Sequence, residues 1–267
     1  MFNAGHPTIH LFGTSILREV GPVLQELTEK RAVNVVSSCA GGSITKAFEQ
    51  FPVPSDSHKD DTLVLHCLGN PSISLSKYDK VEDSYHPVNP AMLNDDGVEN
   101  VMDFLKDTLK WIRRNYSGRI VVVGPMPRYL EKCCDLNSHQ FPNHPIFSST
   151  LEYYHMLNLF ISKSHELRSA YDFDFCAFHD IFSEPFGPHF LRDSVHLFED
   201  RTGEYAGFLS NIVDWKPRKV KPLVAANSFL TWSEMTFSNF HAKKGADFDP
   251  SAYLDALTKY LYEELDA

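Results

Sequence analysis

The stretch Thr8-Ile9-His10-Leu11-Phe12-Gly13-Thr14-Ser15-Ile16-Leu17-Arg18 sets the reading of this 267-residue chain. It is a short apolar run that closes at Gly13 and delivers Ser15 to the start of a helical pattern. In an open α/β sheet, ligands bind outside the carboxyl ends of the strands, so Ser15 stands at the mouth of such a site. A helix beginning beside it offers unpaired N–H groups and positive potential, which suit an oxyanion. By itself, a Ser after a strand is ordinarily a helix N-cap. The nucleophile reading therefore depends on what the rest of the chain brings to Ser15.

Outward from this stretch, strand-like and helix-like segments alternate. Residues 16 to about 30 carry Leu17, Val20, Val23, Leu24 and Leu27 at helical spacing, with Gly21-Pro22 predicting a kink or an early break. Ala32 to Val36 reads as a second strand that runs into the small-residue loop Ser37–Ser43, with a helix over 44–51 beyond it. Thr62 to Leu68 is an apolar run without alternation, as a buried parallel strand requires. Residues 72–94 read as a long loop. A helix is predicted over 95–116, a strand over 119–123, an irregular segment over 130–147 and a helix over 148–168. A strand over 173–178, a loop over 189–197 and a helix over 202–215 complete the series. This alternation predicts an α/β fold: a five-stranded parallel sheet with helices on both faces, in residues 1–215. Residues 216–267 are expected to be an extension. Lys216–Pro222 is a basic, Pro-flanked linker, and Pro250–Glu264 is an amphipathic helix with Tyr253, Leu254, Leu257, Tyr260 and Leu261 on one stripe. That stripe is expected to dock on the domain, on a second copy or on a protein partner.

Composition narrows the function classes. Hydrophobic residues make up 43% of the chain, enough for a sizeable core, and the formal charge of −10 argues against broad phosphate binding, so no direct nucleic-acid partner is expected. No apolar run has the length of a membrane span. Residues 1–7 lack the charged leader and apolar core of a signal peptide, and the five Cys show no disulfide framework, so an intracellular location is expected.

Acyl transfer needs a hydroxyl, a base within hydrogen-bond reach and an acceptor that orients the base. It also needs donors aimed at the oxyanion, each worth roughly 3 kcal/mol of barrier. Ser15 offers the hydroxyl, and Leu191-Arg192-Asp193-Ser194-Val195-His196-Leu197 offers His196 as base with Asp193 as its orienting carboxylate. Asp180 and Asp200 are alternative orienters. Backbone N–H groups at Ser15 and Gly42 and the side-chain amide of Asn70 are the oxyanion candidates, because Gly42 follows the second strand and Asn70 the third.

In this order, the four segments resemble the SGNH, or GDSL-type, hydrolases. The blocks are Phe12-Gly13-Thr14-Ser15, Gly41-Gly42-Ser43-Ile44-Thr45, Leu68-Gly69-Asn70 and Asp193-Ser194-Val195-His196-Leu197, and the resemblance covers residues 8–215. It implies a three-layer flavodoxin-like fold, with Ser15 as nucleophile, His196 as base, Asp193 orienting it and Gly42 and Asn70 as oxyanion donors. It implies a serine esterase acting on a small-molecule ester of a small or medium acyl group through an acyl-enzyme, with no cofactor. Thr14 stands where the family has Asp, Leu68 where it has Gly and Pro71 where it has Asp. These departures keep open a second reading: a weak or inactive module of the same fold that binds a protein. More loosely, Val121–Tyr129 with Cys133-Cys134 is similar to the esterase-like segments of some retrotransposon open reading frames and related nematode proteins, which would give that module an RNA-linked role.

Other clusters carry plainer alternatives. Cys133, Cys134, His139 and His144 hold the donor atoms of a tetrahedral zinc site, but the two Cys are adjacent and no CxxC is present, so a structured loop is the alternative. Arg128, near a strand end, reads as the partner of a carboxylate or of a substrate anion. His66 and His179 read as satisfied core histidines.

Overall fold

Thr8–Gly13 forms β1 and pairs in parallel on both sides. On one side Thr8 to Gly13 run in register with Asn34 to Cys39 of β2 (Asn34–Cys39), and on the other Ile9 to Gly13 run with Thr62 to His66 of β3 (Thr62–His66). β4 (Arg119–Val123) and β5 (Asp174–Cys176) continue the sheet in the order β2-β1-β3-β4-β5. The computed structural model describes residues 6–40, 50, 59–68, 77–79, 84–86, 95–126, 150–182, 190–192 and 196–217.

All five residues of β3 are buried, because helices cover both faces of the sheet. The connection from β1 to β2 moves one way across the sheet and that from β3 to β4 the other. With right-handed crossovers, their helices fall on opposite faces. α1 (Ser15–Thr28) packs with α5 (Glu199–Leu209), and α2 (Asp95–Arg113) packs with α3 (Thr150–Tyr171). A short helix, α4 (Phe178–Ile181), follows β5. The chain reverses direction between β1 and β3, so the carboxyl end of β1 lies at a topological switch point. The core between the layers includes Leu11, Leu17, Val64, Leu105, Val122, Phe160, Phe175 and Tyr205.

The far end of the sheet is closed by polar links. The Asp61 carboxylate accepts from the Thr8 N–H at 2.8 Å, and the Asp61 carbonyl accepts from the Arg119 N–H at 2.9 Å. The Arg119 guanidinium bonds Asp174 at 2.8 Å and donates to the carbonyls of Ile212 at 2.7 Å and Trp215 at 2.6 Å. One side chain thus ties β4, β5 and the chain leaving α5 together.

Several expectations are corrected. α1 runs unbroken over fourteen residues through Gly21-Pro22. A Cβ at Gly21 would lie 3.1 Å from Ser37 Oγ, so the glycine lets α1 sit close on β2, and that packing holds the helix across the proline. β2 extends to Cys39, because pairing with β1 carries the ladder through Ser37 and Ser38 that propensity assigns to a loop. Within 72–94, Lys77–Asp79 and Ser84–His86 pair as two antiparallel strands. α5 starts at Glu199 and ends at Leu209, with turns beyond it. The helices expected over 44–51 and 250–264 lie outside the described residues, apart from Gln50. Among the described residues no helix is long and apolar enough to cross a membrane.

Candidate active site

Ser15 is the first residue of α1, and Thr14, in extended conformation, takes the N-cap position that the sequence offered to Ser15. Thr14, Ile16 and Leu17 are buried around it, while Ser15 itself is half-buried. The first amides of an α-helix have no acceptor inside it, and the Ser15 N–H is one of these. The height of the turn is set by Gly13, where an added Cβ would meet the His66 carbonyl oxygen at 2.4 Å. No side chain larger than hydrogen fits between β1 and β3 at that point.

His196 lies in a segment whose two described limbs are clamped together. Leu191 and Leu197 form an antiparallel bridge, the Arg192 N–H donates to the His196 carbonyl at 2.9 Å, and the Phe198 N–H donates to the Phe190 carbonyl at 3.0 Å. Phe190, Leu191 and Leu197 are buried, and Phe190 stacks edge-on against Phe182 with ring centroids 5.1 Å apart. Apolar burial thus anchors the limbs while His196 stays half-buried between them.

These two pieces meet: His196 Nε2 and Ser15 Oγ lie 3.0 Å apart, across 181 positions of sequence. For the Ser15 hydroxyl to donate to Nε2, the imidazole proton must sit on Nδ1. This is the hydrogen-bond arrangement of a nucleophile with its base.

Gly42, Asn70 and Asp193 lie outside the described residues, as do Arg128 and the zinc candidates Cys133, Cys134, His139 and His144. Of the alternative orienters, Asp180 accepts from the Ala177 N–H at 2.9 Å and Asp200 pairs with Arg201 at 3.6 Å. Among the described residues no group of three or more His, Cys, Asp or Glu side chains is placed to hold a metal ion. His66 is a core histidine, as expected, with Nδ1 3.1 Å from the Tyr205 hydroxyl; His179 lies in α4.

Cys39 and Cys67 end or follow strands near Ser15, so each is a rival nucleophile by position. Burial pushes both thiols above the usual range, which disfavours the thiolate a nucleophile needs.

Two links escape a reading of the sequence. The Arg192 guanidinium pairs with the Glu19 carboxylate at 2.6 Å, and the Tyr205 hydroxyl reaches His66 from α5. The first has a sequence signal: Glu19 is four residues after Ser15, on the same helix face. The second has none, because only the packing of α5 brings Tyr205 to β3.

No protein-family model matches the chain, and no curated protein matches its sequence. Solved structures align with it at low sequence identity. An acetyl xylan esterase aligns at 14% identity over 77% of this chain and 99% of its own, with a TM-score of 0.48. A gut microbial diltiazem-metabolizing enzyme aligns at 12% identity over 77% of this chain and 46% of its own, with a TM-score of 0.46. The periplasmic domain of a lipopolysaccharide acetyltransferase of Salmonella ser. Paratyphi A aligns at 14% identity over 79% of this chain and 84% of its own, with a TM-score of 0.40.

Proposed function

We propose that this chain is a serine hydrolase of the SGNH type, an esterase that releases an acyl group from an alcohol through an acyl-enzyme. The observation that carries the reading is the 3.0 Å separation of Ser15 Oγ and His196 Nε2 at the carboxyl end of a parallel sheet. In this reading Ser15 Oγ attacks the acyl carbon while His196 Nε2 takes the hydroxyl proton. The carbonyl oxygen gains the electron pair of its π bond and is held by the Ser15 N–H, with Gly42 and Asn70 as further donors. Collapse expels the alcohol, which leaves with the proton from His196. Water then attacks the acyl-enzyme with His196 again as base, releasing the acid and restoring Ser15. Asp193 is the residue assigned to hold the His196 proton on Nδ1.

The test is covalent labelling by a fluorophosphonate, together with turnover of short acyl esters. Labelling of the wild type at Ser15, lost in Ser15→Ala along with turnover, is the expected result. A wild type that neither labels nor turns over would overturn the reading. It would favour the non-catalytic module left open by Thr14, Leu68 and Pro71.

A further inference from the structure

Ser15 and His196 belong to pieces of chain that share no strand or helix, and 3.0 Å between them must be maintained by something that joins those pieces. The buried residues at 190, 191 and 197 fix the roots of the His196 loop in the core. The packing of α5, which starts three residues after His196, on α1 brings these roots beside Ser15. Among the described residues, a polar contact also links this loop to α1. Arg192 Nη2 lies 2.6 Å from Glu19 Oε1. Each partner is joined to one half of the pair by its own backbone. Glu19 is one helical turn from Ser15 on the same face of α1. Arg192 is directly across the loop from His196, bonded to it through its own N–H and the His196 carbonyl.

We propose that the Glu19–Arg192 ion pair is a latch that positions His196 over Ser15. Both are positioning residues, since they act through the groups they hold; the role in turnover rests on the hydrolase reading above. The pair is open to solvent, with the Arg192 side chain 48% exposed and that of Glu19 27% exposed. A pair of that exposure contributes little to global stability. Its consequence is local, because a shift of about 1 Å between nucleophile and base is enough to spoil proton transfer. The latch is also electrostatic, so it weakens as salt screens it.

The experiment uses the full chain with Glu19→Gln, Arg192→Ala, Arg192→Lys and the exchanged pair Glu19→Arg with Arg192→Glu. Two readouts are taken: the fluorophosphonate labelling rate, with kcat and KM on a short acyl ester, and the imidazole NMR signals of His196, assigned by their loss in His196→Gln. The expected result is a kcat and labelling rate lower by about fivefold or more in Glu19→Gln and Arg192→Ala, the factor that about 1 kcal/mol of lost positioning gives. KM and the unfolding midpoint stay near those of the wild type. The His196 signals broaden or split in these two variants, Arg192→Lys retains most of the wild-type behaviour, and the exchanged pair recovers it. Raising salt from about 0.05 M to about 1 M moves the wild type toward the variants. Wild-type His196 signals in both Glu19→Gln and Arg192→Ala overturn the latch. If the wild type never labels, the hydrolase reading fails, while the His196 signals still decide whether the ion pair holds the ring.

Discussion

Gly13 and His66 face each other across β1 and β3 so closely that a methyl group on Gly13 would sit 2.4 Å from the His66 carbonyl oxygen. That contact is far inside van der Waals separation and involves backbone, which cannot swing aside. Gly13→Ala is expected to force the two strand ends apart, costing about 1–3 kcal/mol of stability. Because Ser15 is two residues on, labelling at Ser15 is expected to fall as well. A shift in the urea midpoint without loss of labelling would separate the strand contact from the site.

The hydrolase reading of the Ser15–His196 contact predicts the effect of losing the imidazole. His196→Ala leaves the Ser15 hydroxyl at its intrinsic reactivity. Ester turnover is expected to fall by about 10⁴-fold or more, the scale seen when one member of such a unit is removed. The unfolding midpoint, read by circular dichroism, is expected to stay close to the wild type, since His196 is half-buried and its loop is anchored by Phe190, Leu191 and Leu197.

Tyr205 fills the space between α5 and the sheet with no exposed surface, and its hydroxyl lies 3.1 Å from His66 Nδ1. Burial pushes the Tyr205 hydroxyl well above its usual pKa. Tyr205→Phe keeps the ring and removes one hydrogen-bonding partner of a buried imidazole. The expected cost is about 1–3 kcal/mol, measured as a shift in chemical denaturation.

His165 on α3 packs edge-on against Phe175, with ring centroids 5.0 Å apart. Burial, reinforced by the nearby Arg168 charge, pushes its pKa down to about 3. The unfolded chain takes up this proton below about pH 6.5, whereas the native ring stays neutral until about pH 3. Between those values the unfolded state binds more protons, so stability falls as the pH falls, by at most about 1.4 kcal/mol per pH unit for this group. His10, whose pKa burial also lowers, acts in the same direction. His165→Phe is expected to flatten the pH dependence of the denaturation midpoint over this range. An unchanged slope would show that His165 does not carry it.

The parallel sheet was legible because its signal is local. Leu63-Val64-Leu65 is apolar without alternation, so the strand must be covered on both faces, and Val98, Val101, Met102, Leu105, Leu109 and Ile112 recur at helical spacing and are all buried. The same local logic failed where neighbours outvoted propensity. Ser37-Ser38-Cys39 read as loop but are held as strand by β1, and Gly21-Pro22, read as a kink or an early break, do not break the helix, which packs closely on Ser37.

Residue types and their order were enough to single out Ser15 and His196 and to call for a layered α/β fold, because hydrophobic periodicity and side-chain chemistry are written into adjacent positions. That Oγ and Nε2 stand 3.0 Å apart, that Glu19 meets Arg192, and that Tyr205 reaches His66 were decided only by tertiary structure. Contacts between residues more than 130 positions apart depend on how strands order in the sheet and how helices seat on it. No local pattern encodes that geometry.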